Sequence, residues 1–577
     1  MHCSPIGQAS GANCAPTTGW AAAVAATPPG FAVATSHEAA KADAANARVR
    51  SAGLLVCLRR LIVCLSVRGP GYPAGPVSLD PRTPVIVGAG QTLRRPTSMV
   101  ETAAPAQLMA EALRRAGEDS ETGDRLLRRA DSIVAIDQMS WRYSDPALAV
   151  AALIGASPRD TVLTTVGGNS PQMAVNVIAS AIQAGQIDVA LICGAEAIYS
   201  RRLARATGER VPWTTQDEDQ VAPSRRIGID RPGTNDVEQS RSLVLPVQIY
   251  PIFESALRAV SGETIDEHQV RISELWSRFS AVAAANPYAW SPTFYSPEAI
   301  RTVTPDNRMV AFPYPKLMNA NIQTDQGAAL ILCSAAAAEA AGVASERWVF
   351  PWAGADAHDH WFVSDRWSLH SSPAIAACGR AVRELTGTGI DDVGPIDLYS
   401  CFPSAVQMAA AALGLPTDDP DRPLTVTGGL AFAGGPGNNY VTHSIATMVG
   451  RLRQAGPGAV GLITALGWYA TKHSVGLYSC APPPNGAFRA SAAQEEVDRL
   501  PGRTVAAGYD GPIAIEASTV VYERDGSPSL GIVAGLTPDG RRAWANTRQP
   551  ALMKALTTED LAGQTGILRA DGELDLT

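Results

Sequence analysis

From residue 83 onward the apolar positions follow two alternating rhythms. Short unbroken apolar runs at 84–88, 132–136, 189–193 and 328–332 suit strands buried on both faces, and Ala-rich stretches at 103–116 and 146–154 carry apolar residues at helical spacing. That alternation predicts a parallel sheet covered by helices on both faces. A second half of the same kind begins near Trp348 and runs through 396–399 to 459–466. Between the halves, the stretch from 200 to about 315 is more polar and richer in Trp, Tyr, Pro and Arg.

The sharpest segment is TTVGGNSPQMAVNVIASAIQAGQIDVALICGAE, residues 164–196. It predicts a strand end, a Gly-Gly turn, a buried helix and a second buried strand. Gly167 and Gly168 permit a backbone conformation closed to residues with a side chain, and Pro171 suits a first helical turn. Met173, Ala174, Val177, Ile178, Ala181 and Ile182 then recur at helical spacing. This is the layout of a nucleophile-bearing helix N-terminus, yet no cysteine or other strong nucleophile stands at its tip.

The two ends of the chain read differently. Residues 1–82 are rich in Ala, Gly and Pro without sustained periodicity, which predicts a disordered or low-complexity extension. Its apolar patch, AGLLVCLRRLIVCLSV at 52–67, is interrupted by Arg59 and Arg60, too short to span a membrane and too far from Met1 for a signal sequence. At the other end, Pro482-Pro483-Pro484-Asn485-Gly486 is linker-like. Residues 487–577 predict strands at 513–522 and 529–536 joined through Asp525-Gly526, then a turn at Asp539-Gly540. A small β-barrel of the OB type fits that pattern.

Composition narrows the function classes. A chain of 577 residues with 46% hydrophobic and 18% charged content can bury a large core. A net charge of −8, and an acidic balance after residue 487, argue against nucleic acid as a partner. Nine cysteines without a C-x-x-C pair point to a reducing compartment, the cytoplasm, and to no disulfide framework. No ligand cluster for a metal is legible, and no resident cofactor is expected.

The run PQMAVNVIASAIQAGQIDVALICGAEA resembles the nucleophile helix and following strand of thiolases, which make or cleave the carbon–carbon bond of 3-ketoacyl-CoA. Three more segments fall in thiolase order. NANIQTDQGAALIL at 319–332 is similar to the N-x-x-x-x-D-G-A run, IDLYSCFPSAV at 396–406 stands at the N-E-A-F or H-D-C-F position, and GGLAFAGGPG at 428–437 stands at the G-G-x-x-x-x-G-H-P position. The C-x-G segment falls on Ala465-Leu466-Gly467. The resemblance implies a five-layered α-β-α-β-α core of two similar halves, over 83–347 and 348–481, with a loop domain at about 200–315 and acyl-CoA as ligand or substrate.

The departures carry as much weight. The acylated cysteine falls on Gly168, the residue that helps orient the catalytic water on Tyr399, the histidine of G-H-P on Gly435, and the acid/base cysteine on Ala465. Thiolysis needs a thiolate, its activating histidine and a second thiol, and none is present. The remaining proton-moving groups in these segments are Tyr399, Tyr440, His443 and His473, the last beside Lys472. Candidate CoA contacts are Arg201, Arg202, Arg225 and Arg226, whose guanidinium forks suit phosphate, with Gly168, Asn169, Gly435 and Gly467 at the motif positions.

Steroid side-chain aldolases look like thiolases that have lost the nucleophile, and they work beside a separate small partner protein. Tyr440 loosely resembles their arrangement. The C-terminal addition resembles that of actinobacterial thiolase-like proteins of the type 1 group, usually called acetyl-CoA acetyltransferases. Three readings stay open: an acyltransferase acting on acyl-CoA, a retro-aldol enzyme acting on a 3-hydroxyacyl-CoA in steroid or lipid side-chain catabolism, and a non-catalytic acyl-CoA-binding protein. In each the expected state is monomer or homodimer, with no membrane partner and with the C-terminal domain as a replacement for a separate small partner.

Overall fold

The computed structural model describes residues 79–216 and 221–576; the expected extension therefore lies, up to residue 78, outside the described residues. The first sheet contains β1 (Pro84–Arg94), β2 (Ser132–Ala135), β3 (Asp160–Thr164), β4 (Val189–Ala197) and β5 (Arg225–Ile227). After a short hairpin, β6 (Met309–Ala311) and β7 (Tyr314–Pro315), it is completed by β8 (Asp325–Ser334). Its order is β1-β8-β4-β2-β3-β5. The sheet is mixed rather than parallel throughout, because β8 pairs antiparallel with both β1 and β4 while β4, β2, β3 and β5 run together. The long segment between β5 and β8 gives the chain room to return in the opposite direction.

The second sheet repeats this plan. It holds β9 (Phe350–His358), β10 (Ile396–Asp397), β11 (Val460–Gly467), β12 (Lys472–Ser479) and β13 (Arg489–Ala492), in the order β10-β11-β12-β9-β13. Here β12 alone runs against its neighbours, as β8 does in the first sheet. The path β9-β12-β11-β10 thus matches β1-β8-β4-β2, and the two similar halves are present.

Five layers result. The Pro105–Asp119 helix covers the outer face of the first sheet, and the Pro373–Thr386 helix covers that of the second. The Ser170–Gln183 and Tyr440–Ala455 helices lie between the sheets and touch both. That position explains their sequences: Ala174, Val175, Ile178, Ala179 and Ile182 of one, and Val441, Ile445, Met448 and Val449 of the other, are all buried. A helix with sheets on two sides has little use for a charged face.

The C-terminal sheet holds β14 (Gly511–Tyr522), β15 (Pro528–Leu536), β16 (Arg542–Thr547), β17 (Thr565–Leu568) and β18 (Leu574–Leu576) in the order β16-β15-β14-β17-β18. Among the described residues no ladder closes it into a barrel. An isolated parallel bridge joins Asn546 of β16 to Glu573, just ahead of β18, so the ring of strands is partly open in the way of an OB fold. The hairpin of β6 and β7 pairs with β14 through Ala311 and Val521, and β13 borders the second core sheet instead of this one. Arg542, fully buried, donates to the carbonyls of Val363 at 3.1 Å and Ser364 at 3.2 Å and pairs with Glu516 at 2.8 Å, while Trp544 Nε1 donates to Ser364 Oγ at 2.9 Å. From Leu79 onward the chain is accordingly one compact unit. Among the described residues no helix is long and apolar enough to cross a membrane.

Candidate functional site

The four motif segments converge where the Ser170–Gln183 helix begins. Gly167 has φ +148°, a backbone open only to glycine, and its N–H donates to Asn438 Oδ1 at 2.9 Å. Asn438 Nδ2 in turn donates to the Asp137 carbonyl at 2.8 Å, so the Gly-rich segment holds both the Gly167 loop and the end of β2. Ser170 Oγ donates to the Thr165 carbonyl at 2.7 Å and closes the turn. Deeper along the helix, Asn176 donates to Asp356 at 3.0 Å and Gln172 accepts from Tyr478 at 2.6 Å, which ties the helix to the second sheet.

Gly168 meets Tyr399. A Cβ built on Gly168 would collide with the Tyr399 hydroxyl, and would lie 2.7 Å from its Cζ and 2.5 Å from the Leu466 carbonyl oxygen. The phenol therefore fills the volume that a nucleophile's side chain would take. Tyr399 sits just past β10, its N–H donating to Thr464 Oγ1 of β11 at 2.9 Å. Among the described residues its hydroxyl makes no hydrogen bond, and burial holds its pKa well above the usual phenol value.

Tyr440 packs edge-on against that ring, centroids 5.5 Å apart at 85°, but its hydroxyl belongs to another cluster. It bonds Thr427 Oγ1 at 2.6 Å and donates to Asp397 Oδ1 at 3.3 Å. Asp397 is fully buried and also accepts from Thr425 Oγ1, from the N–H groups of Val426 and Thr427, and from Ser444 Oγ at 2.9 Å. Burial raises the pKa of Asp397 and pushes that of Tyr440 beyond the usual phenol range.

Two expected acid/base groups face elsewhere. His443 turns to Gln91 of β1, with Nδ1 2.9 Å from Oε1, and burial drops its pKa to about 3, so the ring is neutral. His473 bonds the Ala470 carbonyl at 3.0 Å and Ser372 Oγ at 3.3 Å and lies 3.4 Å from Asp359. Its chain neighbour Lys472 is the one that enters the site, since adjacent strand residues point to opposite faces. Lys472 Nζ donates to the Val166 carbonyl and, at 3.4 Å, to that of Ile229, and lies 2.9 Å from a Cβ built on Gly167. The side chain is 4% exposed, and burial lowers its pKa to about 8. Asn169 lies between the same lysine, Gly167 and Gly467, with its Oδ1 buried and unpartnered.

The remaining candidates are more scattered. Gly435 is tied through its N–H to the Asn321 carbonyl at 2.8 Å, and Gly467 lies against Asn169. Arg201 donates to the Ser140 carbonyl at 3.0 Å, Arg202 to Gln323, and Arg225 pairs with Asp160 at 3.0 Å. Exposed Arg226 on β5 is close enough to Asp137 to lower its pKa, although burial wins and raises that carboxyl to about 6.

The family model of the thiolase-like protein type 1 additional C-terminal domain matches residues 493–573. The crystal structure of a monomeric SCP2-thiolase like protein type 1 from Mycobacterium smegmatis superposes with a TM-score of 0.74 at 34% identity, covering 86% of this chain and all (100%) of that one. An Ltp2–ChsH2(DUF35) aldolase shares the fold at 18% identity with a TM-score of 0.50, over 69% of this chain and 98% of that one. No curated protein matches the chain. With a third or more of its residues shared over the whole of that mycobacterial relative, the chain belongs to the SCP2-thiolase-like protein type 1 family.

Proposed function

We propose that this protein binds an acyl-CoA thioester at the N-terminus of the Ser170–Gln183 helix and forms no acyl-enzyme. One observation carries the reading: the Tyr399 hydroxyl occupies the space of the missing nucleophile side chain, so the site is rebuilt around a phenol rather than left vacant. A thioester carbonyl arriving there meets hydrogen-bond donors and no thiolate. Calorimetry with CoA and a series of acyl-CoA esters tests binding, and intact mass after incubation with acetyl-CoA tests the absence of an adduct. Gly168→Cys should not restore thiolysis, because the new side chain runs into Tyr399 and the bases expected at Gly435 and Ala465 are still missing. A stable acetyl adduct on the wild-type peptide around Gly168, or thiolase turnover in the single variant, overturns the reading.

A second reading, retro-aldol cleavage of a 3-hydroxyacyl-CoA, is favoured by the unpartnered Tyr399 hydroxyl, a group able to take or give a proton at this position. In that reaction Tyr399 replaces Tyr440 and His443 as the acid/base group, since those two are engaged elsewhere. The C-terminal domain supplies from the same chain what related aldolases take from a partner, a role supported by its Arg542 and Trp544 anchors. A monomeric state is supported by the monomeric relative of the same family. Free thiols at Cys193, Cys333, Cys378, Cys401 and Cys480 support a reducing compartment, the cytoplasm.

A further inference from the structure

Lys472 is a buried cation without a partner of opposite charge. Among the described residues no carboxylate lies within ion-pair distance of its Nζ, and Asp230 is the acid whose field reaches it. Two backbone carbonyls, of Val166 and Ile229, take two of its three N–H bonds. Placing an unpaired charge away from water is expensive, and a protein that needed only a link between those two segments has neutral ways to make one. The ammonium stays mainly protonated near neutral pH, since its lowered pKa of about 8 is still above 7.

The neighbouring groups leave hydrogen-bonding capacity unused. Asn169, 6% exposed, stands at the N-cap of the Ser170–Gln183 helix but gives that helix no side-chain hydrogen bond. Its amide oxygen is unpartnered, as is the indole N–H of Trp468, whose ring centroid lies 6.0 Å from Lys472 Nζ. Tyr399 adds a free hydroxyl, and the helix N-terminus adds the positive end of its dipole. A cysteine enzyme would place its own negative charge here as a thiolate. This chain places a positive charge here and no negative one, so the anion has to arrive with the ligand.

We propose that Lys472 receives a carboxylate carried by the acyl group, and that the ligand is a CoA thioester of a short dicarboxylic acid. The chain between the two carboxyl carbons must be short, because Lys472 lies against Gly167 and the reading above puts the thioester carbonyl at the adjacent Gly168. This assignment rests on the acyl-CoA reading above and narrows it.

The test is a calorimetric titration of the full chain with malonyl-CoA, succinyl-CoA and their uncharged counterpart butyryl-CoA. One of the two charged esters should bind at least about tenfold more tightly than butyryl-CoA, the scale of one charge-assisted hydrogen bond. Lys472→Met should abolish that preference, while Lys472→Arg should keep part of it. Equal affinity of the wild type for charged and uncharged esters overturns the carboxylate assignment and leaves the acyl-CoA reading intact. A preference that survives Lys472→Met overturns the role of Lys472. If none of the three esters binds, the acyl-CoA reading itself fails. The wild-type comparison alone decides the carboxylate assignment, and Lys472→Arg tests the role of Lys472 if Lys472→Met does not fold.

Discussion

Two tyrosines in edge contact, Tyr399 and Tyr440, belong to opposite kinds of environment. The Tyr440 hydroxyl belongs to a satisfied cluster: Asp397 gathers two backbone N–H groups and hydroxyls from Thr425, Thr427, Ser444 and Tyr440. Around Tyr399 the polar groups are left open, with a hydroxyl that bonds nothing in the described chain, an unpartnered Asn169 oxygen and a lysine without an acid. The first region is built to hold the fold, because buried polar groups that satisfy one another make a rigid unit. The second is costly to maintain, and such a cost is borne where a ligand completes the hydrogen bonds.

Removing the centre of the satisfied region should have the largest effect. Asp397→Ala leaves at least four buried donors without an acceptor, and urea unfolding should show a loss of about 3–5 kcal/mol, if the variant remains soluble at all. A loss under about 1 kcal/mol would mean that water reaches the cluster, and the contrast with the Tyr399 side would collapse.

Next comes the pH dependence that belongs to the open region. Burial lowers the pKa of Lys472 from 10.5 to about 8. Below pH 8 the native and unfolded states both hold the proton, and the burial cost opposes folding in full. Between pH 8 and 10.5 the native state loses the proton first, so the unfolded state binds more protons and stability from this group rises with pH. The stability of the wild type relative to Lys472→Met should therefore increase by up to about 3 kcal/mol across that window. A flat difference would place Lys472 in contact with water or with an unseen acid.

The smallest effect is the sharpest comparison. Tyr440→Phe removes a hydroxyl bonded to Thr427 and Asp397 and should cost about 1–2 kcal/mol, whereas Tyr399→Phe removes one without a partner and should change stability by less than about 0.5 kcal/mol. Similar losses in the two variants would erase the distinction between the tyrosines.

Much of this contrast is legible in the amino-acid sequence. Helical spacing marks the Ser170–Gln183 helix, and counting from Ala184-Gly185 puts Gly168 at the nucleophile position, with Tyr399 at the motif position that proves to face it. Motif order succeeds here because each segment ends a strand or begins a helix at the same edge of the sheets. Residue type alone favours His473 over Lys472 as the group that enters the site, and there it misleads. The alternation in KHSVGLYS is the missed signal, since as β12 it puts the two on opposite faces. Asp397 carries no local signal. It is one acid in an apolar run, and its partners lie 28 to 47 residues away along the chain. The antiparallel course of β8 and the placement of β13 in the core sheet also depend on contacts distant in sequence, which periodicity does not report.

Arg542 sets an order of events in the life of the chain. Its guanidinium serves carbonyls at Val363, Ser364 and Trp367, and it is synthesised 179 residues after the first of them. Until the last domain has left the ribosome, that turn lacks the Arg542 guanidinium among its donors, and Trp544 has not yet reached Ser364. The turn also carries Arg366, which donates to Thr471 at 2.9 Å, one residue ahead of Lys472. A nascent or truncated molecule that stops short of residue 542 thus lacks the final support of its own site. Through Arg542 and Trp544 the C-terminal domain is thus fastened to the same turn that, through Arg366, reaches the strand residue next to Lys472.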